Sequence, residues 1–217
     1  HYKKTYPFSS FYTRTISNLP IEEQLVPAKE YWEVRVQNRI LKLSEGDGDL
    51  LSWLATLDMI EKIEAIHYPA TLIGELRGND FKKMTKFKEL SLEYSYRPIY
   101  LASEFDELPS LESIVLVDVN FYSWEPLEAL KSLKSFHYKT GKKIVPTEIF
   151  KLTQLESLIL EGPQLELNFP IEELTELKSL EIRDSSLEHA TSFFEKLKQL
   201  PNLKDLKLHV KLKELLK

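Results

Sequence analysis

The sequence contains no cysteine. Disulfide bridges, thiolate nucleophiles and sulfur-ligated zinc are therefore excluded together. Glycine is scarce, with six residues scattered through 217, and no glycine-rich loop for cradling phosphate can be assembled from them. No apolar run reaches the ~18–20 residues of a membrane span, and no signal-type apolar region follows the N-terminus. A basic excess is missing too. The 29 Lys and Arg are outnumbered by 34 Asp and Glu, for a net charge of −5, the wrong sign for a nucleic-acid or polybasic membrane surface. Asn18, Asn38, Asn79, Asn120, Asn168 and Asn202 all lack Ser or Thr two residues on, so there is no glycosylation sequon. Together with the missing cysteines, this favours a cytoplasmic or bacterial setting over a eukaryotic extracellular one. The start His1-Tyr2-Lys3-Lys4, without Met, reads as a processed form and leaves a secreted or surface-exposed location open.

What the chain has in excess is leucine, 37 in 217 residues and crowded toward the C-terminal half, well beyond average usage. The leucines recur in register. Five blocks share an apolar-x-x-apolar-x-apolar core: Leu111/Ile114/Leu116, Leu133/Phe136/Tyr138, Leu155/Leu158/Leu160, Leu177/Leu180/Ile182 and Leu203/Leu206/Leu208. Their first positions lie 22, 22, 22 and 26 residues apart. Phe87/Leu90/Leu92 and Ile63/Ile66/Tyr68 extend the series backward at 24-residue steps, and Asn38-x-x-Leu41-x-Leu43 reads as a degenerate further copy. Alternation within each block predicts a short strand with every second residue inward. Between strands, Glu125–Leu130 and Pro146–Leu152 carry Pro early and then apolar residues at helical spacing, as a first helical turn tolerates. Thr191–Leu197 is longer and accounts for the 26-residue step, and Asp49–Ile60 predicts another amphipathic helix.

This pattern resembles the leucine-rich repeat family, most closely over Ile144–Leu160, which is near the family's LPxxIxxLxxLxxLxL unit. The likeness covers about residues 60–210 and reads as a bacterial member without cysteine caps. It implies an α/β leucine-rich-repeat solenoid, with a curved parallel sheet on the concave face and helices and irregular turns on the convex face. The chain departs from the family at the asparagine that follows each strand, where it has Ser95, Val119, Gly141, Pro163, Ser185 and Lys211. The turns are therefore expected to be irregular, with Ser or water satisfying the backbone. Three regions follow: an aromatic cap at 1–37, with a hairpin continuing to 43; seven to eight repeats over 38–210; and a tail or cap at 211–217. A bare C-terminal edge near Leu206 would be open to pairing with a neighbouring chain.

The family geometry places the non-core strand residues on the concave surface in columns. One column reads His67, Ser91, Val115, His137, Ile159, Glu181, Lys207, and the next Pro69, Glu93, Val117, Lys139, Glu161, Arg183, His209. Lys139, Glu161 and Arg183 form an alternating charge ladder, with Glu181 facing Lys207. That is either cross-strand complementarity alone or a recognition surface. Val115, Val117 and Ile159 are expected either to form an exposed apolar patch or to lie under a loop. Of the loop aromatics, Tyr94, Tyr96 and Tyr122 are expected to be exposed and Phe121 core, with Trp124 open to either.

Catalytic readings fail on spacing. His67 and His137 stand three strands apart, about 14 Å at ~4.8 Å per strand, and His209 is three strands beyond, too far to share a metal. His189 has no evident partner. Glu161 and Glu181 sit among Lys139, Arg183 and Lys207, which keep both acids ionised rather than raising one for general-acid chemistry. Glu45-Gly46-Asp47-Gly48-Asp49 lacks calcium-loop spacing. The expectation is a non-catalytic protein-interaction module of inhibitor, immunity or adaptor type, with no cofactor, metal, nucleic acid or membrane insertion. Its partner-binding set is Glu93, Tyr94, Tyr96, Val115, Val117, Tyr122, His137, Lys139, Ile159, Glu161, Glu181 and Arg183. A structural or surface-associated spacer is the alternative, and an enzyme follows only if a loop carries His189 to a carboxylate.

Overall fold

The computed structural model describes the backbone of residues 31–36, 39–44, 63–69 and 75–76. It describes residues 84–93, 95, 98–101, 108, 110–163, 165–185 and 191–209 with their side chains. The expected helix over Asp49–Ile60, and residues Tyr94, Tyr96 and His189, lie outside this set, as do 1–30 and 210–217.

The repeats form one ladder. Strands β1 (Tyr31–Val36), β2 (Arg39–Ser44), β3 (Ile63–Pro69), β5 (Glu89–Glu93), β7 (Ser113–Val117), β8 (Ser135–Lys139), β9 (Ser157–Glu161), β10 (Ser179–Arg183) and β11 (Asp205–His209) make a nine-stranded sheet. From β3 onward each strand pairs in parallel with the next, residue for residue, so Leu158 stands beside Phe136 and Leu180. At the other end β1 pairs antiparallel with both β3 and β2. Asn38-x-x-Leu41-x-Leu43 is thus not a further parallel unit. β1 and β2 form an antiparallel pair, and among the described residues β2 is the outer strand of the sheet at this end. β4 (Glu75–Leu76) and β6 (Tyr100–Leu101) form a separate two-stranded parallel pair.

Alternation explains the core. In β7 to β10 the second and fourth residues of each strand are buried, and those of β8, β9 and β10 are at most 1% exposed. Opposite the sheet, each 22-residue unit turns back through a single 3-10 turn: Glu125–Ala129, Thr147–Lys151 or Ile171–Glu173. Amides at three-residue steps then donate three residues back, as Leu152 does to Ile149 and Leu155 to Leu152. Stacked copies of these apolar residues fill the core from the far side. The 26-residue unit has room for the α-helix Ala190–Leu197, as its spacing predicts. Phe150 and Phe169 stack at 4.9 Å, and Phe193 packs edge-on to Phe169 at 5.5 Å, which ties successive turns together.

The turns after the strands do without asparagine, and serine does not replace it throughout. Ser95 Oγ accepts from the Asn120 amide at 3.1 Å, as expected. Elsewhere the work passes to the residue immediately after the strand. Asp118 Oδ1 accepts from the Gly141 amide and Thr140 Oγ1 from the Lys142 amide, both at 3.1 Å. Asp118 and Asp184 have positive φ, 50° and 58°, a conformation that a short polar side chain tolerates. Ser185 is fully buried, and its hydroxyl has no hydrogen bond among the described residues.

Gly162 occupies the same post-strand place, and a Cβ there would overlap the Thr140 carbonyl oxygen and press on Leu165. Gly141 has open space around that position. We expect Gly162→Ala to destabilise the chain by about 1–3 kcal/mol through overpacking, and Gly141→Ala to change stability by less than ~1 kcal/mol. Paired urea denaturation curves check both.

Candidate functional site

The face of the sheet turned away from the core carries three columns of side chains. In-register pairing sets Ser91, Val115, His137, Ile159, Glu181 and Lys207 in one line across β5 to β11, and Glu93, Val117, Lys139, Glu161, Arg183 and His209 in the next. The third column, at the first strand position, is absent from the residue set chosen from sequence. It runs Glu89, Ser113, Ser135, Ser157, Ser179, Asp205. Four half-buried serines at consecutive 22-residue steps are a signal as plain as the leucines. The preceding residues alternate in sign from Lys88 to Lys178, and Lys204 then breaks the alternation. Lys88 pairs with Glu112 at 3.1 Å and Lys178 with Glu156 at 2.7 Å, while Lys134 also pulls on Glu156.

The charge ladder predicted from sequence exists and is longer than expected. Lys139 Nζ lies 2.5 Å from Glu161 Oε1, and Arg183 reaches the other oxygen of Glu161 at 3.5 Å. The Arg183 Nε–H donates to Glu181 Oε1 at 2.8 Å, and His209 Nε2 lies 3.4 Å from the same oxygen. The chain of charge thus runs from Lys139 through Glu161, Arg183 and Glu181 to His209. Glu181 stands opposite Lys207 in the register, as expected, and feels its charge, while its hydrogen bond comes from Arg183. The planar guanidinium spans two carboxylates on adjacent strands, which a flexible ammonium does less well. The bond from Lys139 holds Glu161 below the usual carboxylate range, and the bond from Arg183 does the same for Glu181. Both acids are fixed as anions.

Among the apolar candidates, Val115 and Ile159 are half-buried on this face, with His137 between them. Val117 departs from the exposed-patch expectation. It is only 9% exposed yet stands outside the main core cluster. Its ladder neighbours Glu93 and Lys139 flank it on both sides, and long side chains of this kind shield apolar neighbours with their stems. Tyr122 is exposed, at 58%, and stacks on Tyr100 with ring centroids 4.1 Å apart. It lies in the loop beyond β7, away from the strand columns. Phe121 is core, as expected, and Trp124 joins it, edge-on to both Phe121 and Tyr138. Among the described residues no group of three His, Asp or Glu converges to hold a metal ion. No helix among them is long and apolar enough to cross a membrane.

His137 is the titratable centre of the face. Its Nε2 is buried without a hydrogen bond among the described residues, and Glu161 Oε2 stands 3.7 Å away, too far to supply one. Burial is the largest influence and pushes the imidazole below its ordinary value. Glu161 opposes this, while Arg183 and Lys139 add to it. The unfolded chain therefore protonates first, near pH 6.5, and stability present above that value is lost as the pH falls through it toward the lower folded value. Glu161 and Glu181 act with the same sign in a separate window, below about pH 4.3. We expect unfolding free energy measured by urea titration to fall as the pH drops below about 6.5, and His137→Gln to flatten that slope.

No family model matches the chain, and no curated protein sequence does. Solved structures that resemble it include internalin C2 from Listeria monocytogenes, 16% identical over 71% of this chain and 76% of that one, with a TM-score of 0.42. The leucine-rich repeat domain of the type III effector XopL is 18% identical over 74% of this chain and 55% of its own length, with a TM-score of 0.41. A leucine-rich repeat protein of Leptospira interrogans is 19% identical over 61% and 40%, with a TM-score of 0.34. The chain thus spans about half of the XopL domain and less of the Leptospira protein. The 22-residue period, the parallel in-register ladder and the single turn returning each unit are the chain's own features, and by them it has the leucine-rich-repeat fold.

Proposed function

We propose that the chain is a non-catalytic interaction module that binds a protein partner on the open sheet face, the concave one in this fold. The observation that carries this is the middle column. Val115 and Ile159 lie two strands apart, about 10 Å at ~4.8 Å per strand, and hold His137 between them. They are bordered by serine hydroxyls on one side and the charge chain on the other. An apolar centre within a polar margin is the composition of a protein interface. Glu93, Lys139, Glu161, Glu181 and Arg183 make the margin, and the half-buried His137 ring lies between the two aliphatic side chains. Exposed Tyr122 is assigned to a separate contact, for which Tyr94 and Tyr96, outside the described residues, are candidates from sequence alone. The proposed regions are those read from sequence: a cap at 1–37 with a hairpin continuing to 43, the repeats within 38–210, and a tail or cap at 211–217. The role is inhibitory, immunity-like or adaptor-like.

A spacer role has one observation in its favour. Glu161 and Glu181 already have cationic partners within the sheet, so the charge chain is satisfied without a partner. The two readings separate experimentally. A protein captured by the chain, then purified and titrated, is expected to bind Val115→Asp/Ile159→Asp at least tenfold more weakly, about 1.4 kcal/mol. Undiminished affinity overturns the proposed face. Loss of capture on deleting residues 1–30, with the sheet intact by circular dichroism, supports the spacer instead.

A further inference from the structure

Strands β3 to β10 of the main sheet are each hydrogen-bonded on both sides, whereas β11, among the described residues, is bonded only to β10. The Asp205 amide donates to the Lys178 carbonyl at 3.0 Å, and the His209 carbonyl accepts from the Asp184 amide at 2.7 Å. In a parallel ladder alternate residues face alternate neighbours. Residues 205, 207 and 209 thus turn their backbone groups to β10, and Leu206 and Leu208 turn theirs outward. Burial changes at the same place. The equivalents of Leu206 in the four preceding units are at most 1% exposed, but Leu206 is 42% exposed, with Leu203 and Leu208 only partly covered. Among the described residues, the end of the ladder is an apolar edge with outward-facing backbone groups, a template for another strand.

The charges on β11 indicate which strand. Asp205, Lys207 and His209 are exposed on the open face. Glu181, opposite Lys207, is taken up by Arg183 and His209. We propose that β11 is a self-association edge, where a second copy of the chain adds its own β11 antiparallel about a twofold axis, with Leu206 facing Leu206. In that register Asp205 of each copy faces Lys207 of the other, so the twofold makes two opposite-charge pairs at once. Leu208 then lies beside the aliphatic stem of Lys204. The register two residues away, with Leu206 facing Leu208, sets Lys207 against Lys207 and is disfavoured. The edge is therefore self-complementary in one arrangement.

Sedimentation equilibrium of the 217-residue chain tests this, with Asp205→Lys, Lys207→Asp and the double variant beside it. The wild-type chain is expected to dimerise reversibly. Each single reversal creates two like-charge pairs and is expected to weaken the dimer about tenfold or more, while the double variant regains wild-type association to within about threefold. Circular dichroism melts confirm that all four chains fold. Amide exchange at Leu206 and Leu208 is expected to slow as protein concentration rises. Three results would overturn the proposal. One is a monomer at every concentration, with these amides already protected, because residues of the chain itself then cover the edge. Another is a monomer with both amides exchanging freely. The third is a dimer indifferent to either reversal.

Discussion

A 22-residue unit with one five-residue strand and one turn cannot enclose its own apolar residues. Leu155, Leu158 and Leu160 are fully buried because equivalent residues of the neighbouring units lie on either side of them. Everything else in the molecule depends on that stacking staying in register. It fixes the backbone bonds that tie unit to unit, as at the entrance to β9, where the Glu156 and Ser157 amides both donate to the Lys134 carbonyl. It also fixes how closely the post-strand turns approach, which is why Gly162 sits where Thr140 leaves no space for a side chain.

The same register imposes a rule on the open face. Residues at one strand position stand beside their own equivalents at about 4.8 Å, so a column of like charges would be costly. The columns solve this in two ways. Where charge is used, the sign mostly alternates, as in Lys88, Glu112, Lys134, Glu156 and Lys178 at the strand entrances, until Lys204 repeats the sign, and in Lys139, Glu161 and Arg183 at the strand ends. Where it is not, small hydroxyls repeat, as in Ser113, Ser135, Ser157 and Ser179. Much of the visible charge is therefore spent within the sheet. Three residues of the middle column fall outside this rule, Val115, His137 and Ile159.

The sequence shows the strands, their order and their facing residues because each follows from period two inside a 22-residue period. It shows far less about distances between columns. The hydrogen bond of Glu181 to Arg183, beside the facing Lys207, depends on rotamers of long side chains, which the register does not specify. Val117 illustrates a second limit. Alternation places it on the open face, but it is only 9% exposed, a burial the strand pattern does not specify. The serine column was legible and easy to overlook, since apolar and charged residues draw attention first. The post-strand turns are a third case. The family pattern points to asparagine, and the chain moves the side-chain bond one residue earlier, to Asp118 and Thr140.

A stack of parallel strands has two ends, and each leaves backbone groups without a partner in the ladder. At the first end the chain reverses, so that β1 covers β3 and β2 covers β1. Among the described residues this moves the open edge outward to β2. The charged residues of that strand are Arg39 and Lys42, both positive, so two copies of β2 brought together gain no opposite charge. Such an edge resists pairing with itself. The last strand, β11, carries Asp205 and Lys207 two residues apart, on the same face and of opposite sign. An antiparallel copy turns that spacing into complementarity. The two ends differ in physical character for this reason: β2 has an edge that repels its copy, and β11 has one that matches it.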